Sequence, residues 1–394
     1  MRARIIFFVA FLMLFCGTAL AESREISGHC RYTATVRNEH ARRTGNDDYS
    51  SYWEGTGGAL TVRLPEDTTA CGIQLSFLER ATPVTVEALD GNGAVTDETG
   101  YSERYLNAYI PLRSSAAYRI RAREANASLR VNRVRVFAGE DEPADAQRWR
   151  EPAGPVDLLH IVAHPDDELI WFGGLLPTYA GERRMNVLVA YAVTRGALKA
   201  GRFNELLDGL WVCGVRAYPV LGPFADFQAK TLKTVFNHWG EDAAQAWCTG
   251  LIRRYRPRVV VTHDLRGESG HMQHQAVARA VTDAVTAWSG NAAFDPDSAA
   301  EYGTYTPQKL YMHRYRRNEI FMDWDRPLSA FGGRTGAQVA REAFRRHVSQ
   351  RRTHYKIYMS GPMDSRYLGL YFSTVGDDVK KNDLFENVRD TGTP

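Results

Sequence analysis

His164-Pro165-Asp166-Asp167-Glu168 puts one imidazole and three carboxylates within five residues. The apolar run 156–163 before them reads as a buried strand, so the charges fall at its carboxyl end. A second cluster follows a second β-branched run: Arg258-Val259-Val260-Val261-Thr262 leads into His263-Asp264 and then Gly270-His271-Met272-Gln273-His274. His271 and His274 open the segment 275–288, which has helical spacing, and an i,i+3 pair shares one helix face. Two imidazoles and one carboxylate suit a divalent borderline metal that keeps one position open for water. Such a metal lowers the pKa of water and polarises a carbonyl. The second carboxylate of Asp166-Asp167 then has a use, because a hydrolase needs a free base beside that water.

The elements that must position these groups are legible as alternating strands and helices. Strands near Leu158, Val189, Pro219, Val260 and Tyr311 are separated by helical segments near Leu175, Leu207, Cys248 and Val281. This pattern predicts an α/β domain over 155–378 with a Rossmann-like, doubly wound, mostly parallel sheet. Such a sheet binds ligands beyond the carboxyl ends of its strands, where both clusters fall. No Gly-x-Gly-x-x-Gly follows the first strand, so no nucleotide cofactor is expected. Residues 22–140 differ in character: short alternating runs at 59–64, 72–77, 84–89 and 129–136, parted by turns such as Asp90-Gly91-Asn92-Gly93, predict an all-β sandwich or jelly roll. Residues 141–154 read as a polar linker, and 379–394 as a polar tail with a frayed end. Tyr49, Tyr52, Trp53, Tyr101, Tyr105 and Tyr109 suit aromatic platforms for sugar rings, although alternation along strands equally places them in a core or on its rim.

Both clusters, in this order and each after a strand, resemble the PIG-L/LmbE family of zinc-dependent N-deacetylases, which act on N-acetylglucosamine in glycolipids and small glycosides. The resemblance spans about 156–355. It implies that His164, Asp167 and His274 hold the metal, that Asp166 is the general base, and that His271 stabilises the oxyanion and helps protonate the leaving amine. The context Thr262-His263-Asp264 then Gly267-Glu268-Ser269-Gly270-His271 is similar to the PIG-L branch, whereas Met272-Gln273 stands where many relatives have Pro-Asp. Arg202, heading Arg202-Phe203-Asn204-Glu205-Leu206, and Asp226 fall where relatives place substrate contacts. His347-Val348-Ser349-Gln350 also recurs near the end of this domain. The implied cofactor is Zn2+, with another divalent metal such as Fe2+ as the alternative.

Simpler readings compete. Alone, the first cluster suits a polar turn that caps a helix, Arg202 with Glu205 suits an i,i+3 ion pair, and His347 suits a brace for the last helix. The basic run Arg345, Arg346, Arg351 and Arg352 suits a phosphate or uronate, or a solvated helix face.

Arg2 and Arg4 ahead of an apolar core at 5–15, with Ala19-Leu20-Ala21 offering small residues for cleavage, predict a signal peptide at 1–21 and a secreted or periplasmic protein. Membrane association is expected only if Cys16 is lipidated. The formal net charge is +3, and loss of that segment brings it nearer to neutral, which excludes a general nucleic-acid binder. Cys30, Cys71, Cys213 and Cys248 then permit three pairings. Cys30 with Cys71 and Cys213 with Cys248 needs the least assumption, and for Cys213 and Cys248 buried thiols are the other reading. The expected function is N-deacetylation of a cell-surface or extracellular glycan or glycolipid; the alternatives are a metal-dependent amidase on another amide and a non-catalytic glycan-binding protein.

Overall fold

A computed structural model describes residues 23–46, 49–102, 104–139, 141–196 and 201–390. The expected signal peptide, with Cys16, lies outside them. Among the described residues no helix is long and apolar enough to cross a membrane.

The front part is built from two five-stranded antiparallel sheets. One contains Ala70–Phe77, Asn107–Pro111 and Ser128–Ala138, and the other Ala59–Arg63, Val84–Leu89 and Ala117–Ala122. Period-two alternation sends Ile73 and Leu75 from the first, and Leu60, Val62 and Ile120 from the second, into one shared core. The turn at Asp90 closes as its composition requires, with Oδ1 accepting from the amides of Asn92 and Ala94. Trp53, Tyr49 and Tyr109 are buried, and Tyr101 and Tyr105 pack on the core, so these rings are structural.

The second part is a seven-stranded sheet. Its strands are β1 (Leu158–Val162), β2 (Val187–Gly196), β3 (Val220–Asp226), β4 (Val259–Thr262), β5 (Lys309–His313), β6 (Glu319–Phe321) and β7 (Tyr367–Ser373). The spatial order is β3-β2-β1-β4-β5-β7-β6; the first five run parallel, and β7 and β6 are antiparallel additions. β1 is buried along its whole length, as a near-continuous apolar run in a parallel sheet must be. Its alternation sends Leu159 and Ile161 to one face and Leu158 and Val162 to the other. Helices α1 (Asp167–Ile170), α2 (Arg202–Val212) and α6 (Gly336–Phe344) cover the second of these faces. Helices α3 (Leu232–Trp239), α4 (Glu241–Tyr255) and α5 (Met272–Asp283) cover the first.

Four expectations are corrected. All four described cysteines are free thiols. Cys213 and Cys248 lie in core layers on opposite faces of the sheet and so cannot meet, while Cys30 borders the main core and Cys71 packs with Tyr109 and Phe137. The helix near Leu175 is broken: α1 has four residues, Gly173 turns at φ 51°, and a π-helical turn follows at Pro177–Glu182. The left-handed turn at Gly173 makes the break, and a Cβ at Gly174 would come within 2.9 Å of the buried Trp324 ring, so glycine is needed there as well. The polar linker is packed, with Ala146, Gln147 and Trp149 buried. The tail is bound through residue 390: Leu384 is wholly buried, and Tyr179 donates to Asp383 at 2.9 Å.

A polar seam joins the two parts. Gln74, Asn107 and Asn132 are wholly buried polar residues of the first sheet. Asn204 Nδ2 on α2 donates to Phe77 O at 2.7 Å and Asn132 Oδ1 at 3.1 Å. Asp208, one turn further on, accepts from Tyr49 OH at 2.7 Å and from Gln147. The β-sandwich thereby clamps the helix that begins at Arg202.

Candidate metal centre

β1 ends at Val162, and the chain turns through His164-Pro165 to Asp166, which stands at φ 123° before α1. A non-glycine residue held at positive φ costs about 1–3 kcal/mol. Glu168 offsets this by accepting the Asp166 amide on Oε2 at 3.0 Å. The amide of Ala163 donates to His263 Nε2 at 2.9 Å, which ties the end of β1 to the end of β4.

Three side-chain atoms converge there. His164 Nδ1 lies 3.2 Å from Asp167 Oδ2 and 3.3 Å from His274 Nε2, and His274 Nε2 lies 3.3 Å from Asp167 Oδ2. Tetrahedral zinc with bonds of about 2.0–2.1 Å has ligand–ligand edges of about 3.3–3.4 Å, so the triangle fits such an ion. Proton placement agrees. His164 Nε2 donates to Gln273 Oε1 at 2.6 Å, and His274 Nδ1 donates to Glu268 Oε2 at 2.9 Å, so the converging nitrogens are the ones that can offer lone pairs to an ion; without one, Asp167 favours their protonated forms against burial, pushing His164 up to about 9 and His274 upward. His263 Nε2 is also 3.4 Å from Asp167 Oδ2, but the Ala163 amide already uses that lone pair, so His263 supports the triangle from behind. Asp167 Oδ1 accepts from Trp171 Nε1 at 2.9 Å. Despite burial, His274, His164 and His263 hold the Asp167 carboxyl well below the usual range.

Asp166 sits beside the triangle without joining it. Burial, against the pull of Arg202, pushes its carboxyl up to about 7, a value suited to a general base near neutral pH. His271 precedes α5 and is the exposed member of the histidine group, its ring 4.8 Å from His164 and 4.5 Å from His274. Partial burial of the group, with the charges of the His274 and His164 imidazoles, depresses it to about 3 where no cation is bound. A bound cation would depress it further.

Arg202 and Asp226 also reach the site. Arg202, expected to face substrate, donates through one amino group to Asp166 Oδ2 at 2.9 Å and to Pro165 O at 2.8 Å. It therefore positions the base. Glu205 does not pair with it, and instead accepts from Ser349 N at 2.8 Å and Ser349 Oγ at 2.6 Å. Asp226, at the end of β3, is 3.6 Å from His164 Nε2. His347 is wholly buried behind the base, its Nε2 4.0 Å from Glu168 Oε1. Burial, then the charge of Asp166, pushes Glu168 up to about 8, so it is the protonated member of the acid cluster at neutral pH.

Sequence reasoning missed the group that organises the site. Glu268 is wholly buried and accepts from His263 Nδ1 at 2.7 Å, His274 Nδ1 at 2.9 Å, His313 Nδ1 at 2.9 Å and the Asp264 amide at 3.1 Å. His313 closes β5, and residues at the carboxyl ends of adjacent parallel strands converge, which is the signal that could have found it. Gln273, noted as a departure in a turn, orients His164.

Residues 159–285 match the model of the PIG-L family, described as GlcNAc-PI de-N-acetylase. A 1D-myo-inositol 2-acetamido-2-deoxy-alpha-D-glucopyranoside deacetylase from Rhodococcus opacus is 30% identical over 179 residues, 39% of this chain and 60% of that protein. The chain spans about 60% of the length of the curated relatives it matches. Among solved structures, N,N'-diacetylchitobiose deacetylase from Pyrococcus horikoshii is 16% identical, covering 49% of this chain and 70% of that one, with a TM-score of 0.37. A CBM32 module from Clostridium perfringens, solved with GalNAc-beta-1,3-galactose, is 13% identical, covering 28% of this chain and 96% of that module, with a TM-score of 0.24. The chain thus carries a PIG-L domain at residues 159–285.

Proposed function

We propose that the protein is an exported, metal-dependent N-deacetylase that removes acetyl from N-acetylglucosamine, or a related N-acetylhexosamine, in a cell-surface or extracellular glycan or glycolipid. The observation that carries this reading is the triangle of His164, Asp167 and His274, with Asp166 beside it as a separate carboxylate. The strand order β3-β2-β1-β4-β5 supports a doubly wound reading of the second part, and the two packed sheets support a jelly-roll reading of the first. The deacetylase activity for which the relatives are named, and the apolar sequence at 5–15, support the substrate and the export.

His164, Asp167 and His274 would hold the ion, zinc suiting this donor set and Fe2+ being the alternative. When bound, it supplies a Lewis acid for the acetyl carbonyl and acidifies water. Asp166 takes the proton of the attacking water, in an orientation fixed by Arg202 and Glu168. His271 donates an N–H to the carbonyl oxygen as that oxygen gains charge. The C–N bond then breaks, and the proton held by Asp166 is the one available to the departing nitrogen, giving acetate and a free amine. In this reading Asp226 accepts a sugar hydroxyl, a role supported by its position 3.6 Å from His164 Nε2.

The test is acetate release from N-acetylglucosamine oligomers, a polymer and a glycolipid, comparing metal-loaded with chelated protein. Metal-dependent release supports the reading. No release from any of them, by protein carrying one equivalent of metal, overturns it.

A further inference from the structure

Beside the metal centre runs a groove of about 670 Å³ between α6 and the irregular segment 355–363. One lining residue, Tyr355, lies near enough to the site to feel the charges of Asp167 and Asp166. The Tyr355 ring lies 6.0 Å from the ring of Trp171, which donates to Asp167 and whose ring is 6.1 Å from that of His274. The Tyr358 ring stacks on Trp171 at 5.3 Å and 3°. Phe344 completes an apolar floor, and the rim carries Arg341, Arg345 and Lys356.

The charge of this rim is uncompensated. No aspartate or glutamate lines the groove, and none of the three cations has a carboxylate partner among the described residues. Glu342, their neighbour on α6, is taken up by Arg334 and Arg346. Arg341 and Arg345 stand one helical turn apart, where like charges repel. Two guanidiniums one turn apart match a carboxylate carried on a pyranose, and Tyr355 and Phe344 offer apolar surface to the C–H face of the sugar, whereas the Tyr358 ring is already covered by Trp171 and by Lys356 Nζ at 5.9 Å. A bare phosphate would leave the aromatic floor unused.

Resting on the deacetylase reading above, we propose that this groove is a subsite for an acidic sugar, a uronate linked to the N-acetylhexosamine that is deacetylated. The substrate is then an acidic glycan rather than a neutral one. The basic residues singled out along the chain at 345, 346, 351 and 352 contribute one member, Arg345, to the groove lining.

The test compares, on the full metal-loaded protein, a glucuronate-N-acetylglucosamine oligosaccharide with the same oligosaccharide carboxyl-reduced to its neutral form, with N-acetylglucosamine 1-phosphate as a third arm. The expected result is a kcat/KM at least tenfold higher for the acidic oligosaccharide, shrinking with added salt. In the exposed-surface variant Arg341→Gln/Arg345→Gln/Lys356→Gln the acidic-to-neutral ratio falls towards one, and an all-lysine version of the two arginines restores part of it. A ratio near one in the parent protein, a ratio unchanged in the variant, or preference for the phosphate over the uronate overturns the proposal. If no substrate releases acetate, the deacetylase reading has failed by itself. Calorimetry of the acidic and reduced oligosaccharides then decides the groove: binding of the acidic one, lost in the variant, upholds it, and equal or absent binding of both overturns it.

Discussion

Replacing Glu268 by glutamine tests whether one buried carboxylate sets the metal affinity of this site. The carboxylate accepts four N–H groups, two on each oxygen, and three of them are imidazoles from separate segments. A glutamine of the same size keeps only one accepting oxygen. If that oxygen faces His263 and His274, the amide NH2 confronts the N–H groups of His313 and Asp264. If it faces the other way, His274 must move its proton to Nε2, the atom that completes the triangle. Loss of such an outer partner lowers metal affinity about 10–100-fold, or about 1.4–2.8 kcal/mol. Each charge-assisted buried bond disrupted also costs the metal-free fold about 1.5–3 kcal/mol. A chelator-competition titration measures the first effect, and urea unfolding with chelator present measures the second. The expected outcome is a weaker metal site in a less stable but folded protein, with Asp166→Asn as the companion that keeps metal and loses turnover. A Glu268→Gln protein whose metal Kd stays within twofold of the parent would refute the argument that Glu268 fixes the His274 tautomer.

Arg202→Gln removes the cation that pulls the Asp166 carboxyl down, so the acid limb of the kcat/KM profile should move to higher pH. A limb that stays put, or moves to lower pH, would exclude Asp166 as the group titrating there. Asp208→Ala leaves the buried donors of Tyr49 and Gln147 unpaired, at about 1–3 kcal/mol each, and loosens the clamp on α2; urea unfolding should show a lower midpoint, and an unchanged one would remove Asp208 from the seam. Arg253 is wholly buried, and its guanidinium donates to the carbonyls of Trp288, Ser289, Asn291, Phe294 and Asp295. Arg253→Ala orphans several of these at once and should cost more than about 3 kcal/mol, with protease nicking concentrated near 288–298; a small loss with no nicking would show that the loop holds itself.

Much of the site is legible along the chain because its chemistry is local. His164, Asp166 and Asp167 leave the same strand end, so a short apolar run followed by charge is enough to place them together. His271 and His274 are only three residues apart, so although His271 is the extended residue before α5 and not part of it, short separation keeps the two rings 4.5 Å apart. The run of βα units likewise announces a sheet, since a parallel strand buried on both faces must be apolar throughout. Against this, the broken helix after Ile170 depends on the Trp324 ring packed against Gly173 and Gly174, a partner some 150 residues away that no local propensity encodes.

What the sequence determined by itself was the inventory of reactive groups and the strand ends that carry them. Only the tertiary structure decided which of those groups meet. It joined His263, His274 and His313 on Glu268, turned Gln273 onto His164, set Arg202 against Asp166 instead of Glu205, and placed Cys213 and Cys248 on opposite faces of one sheet. The physical reason is that periodicity constrains neighbours three or four residues apart. A hydrogen bond across a fold depends instead on how whole layers are stacked.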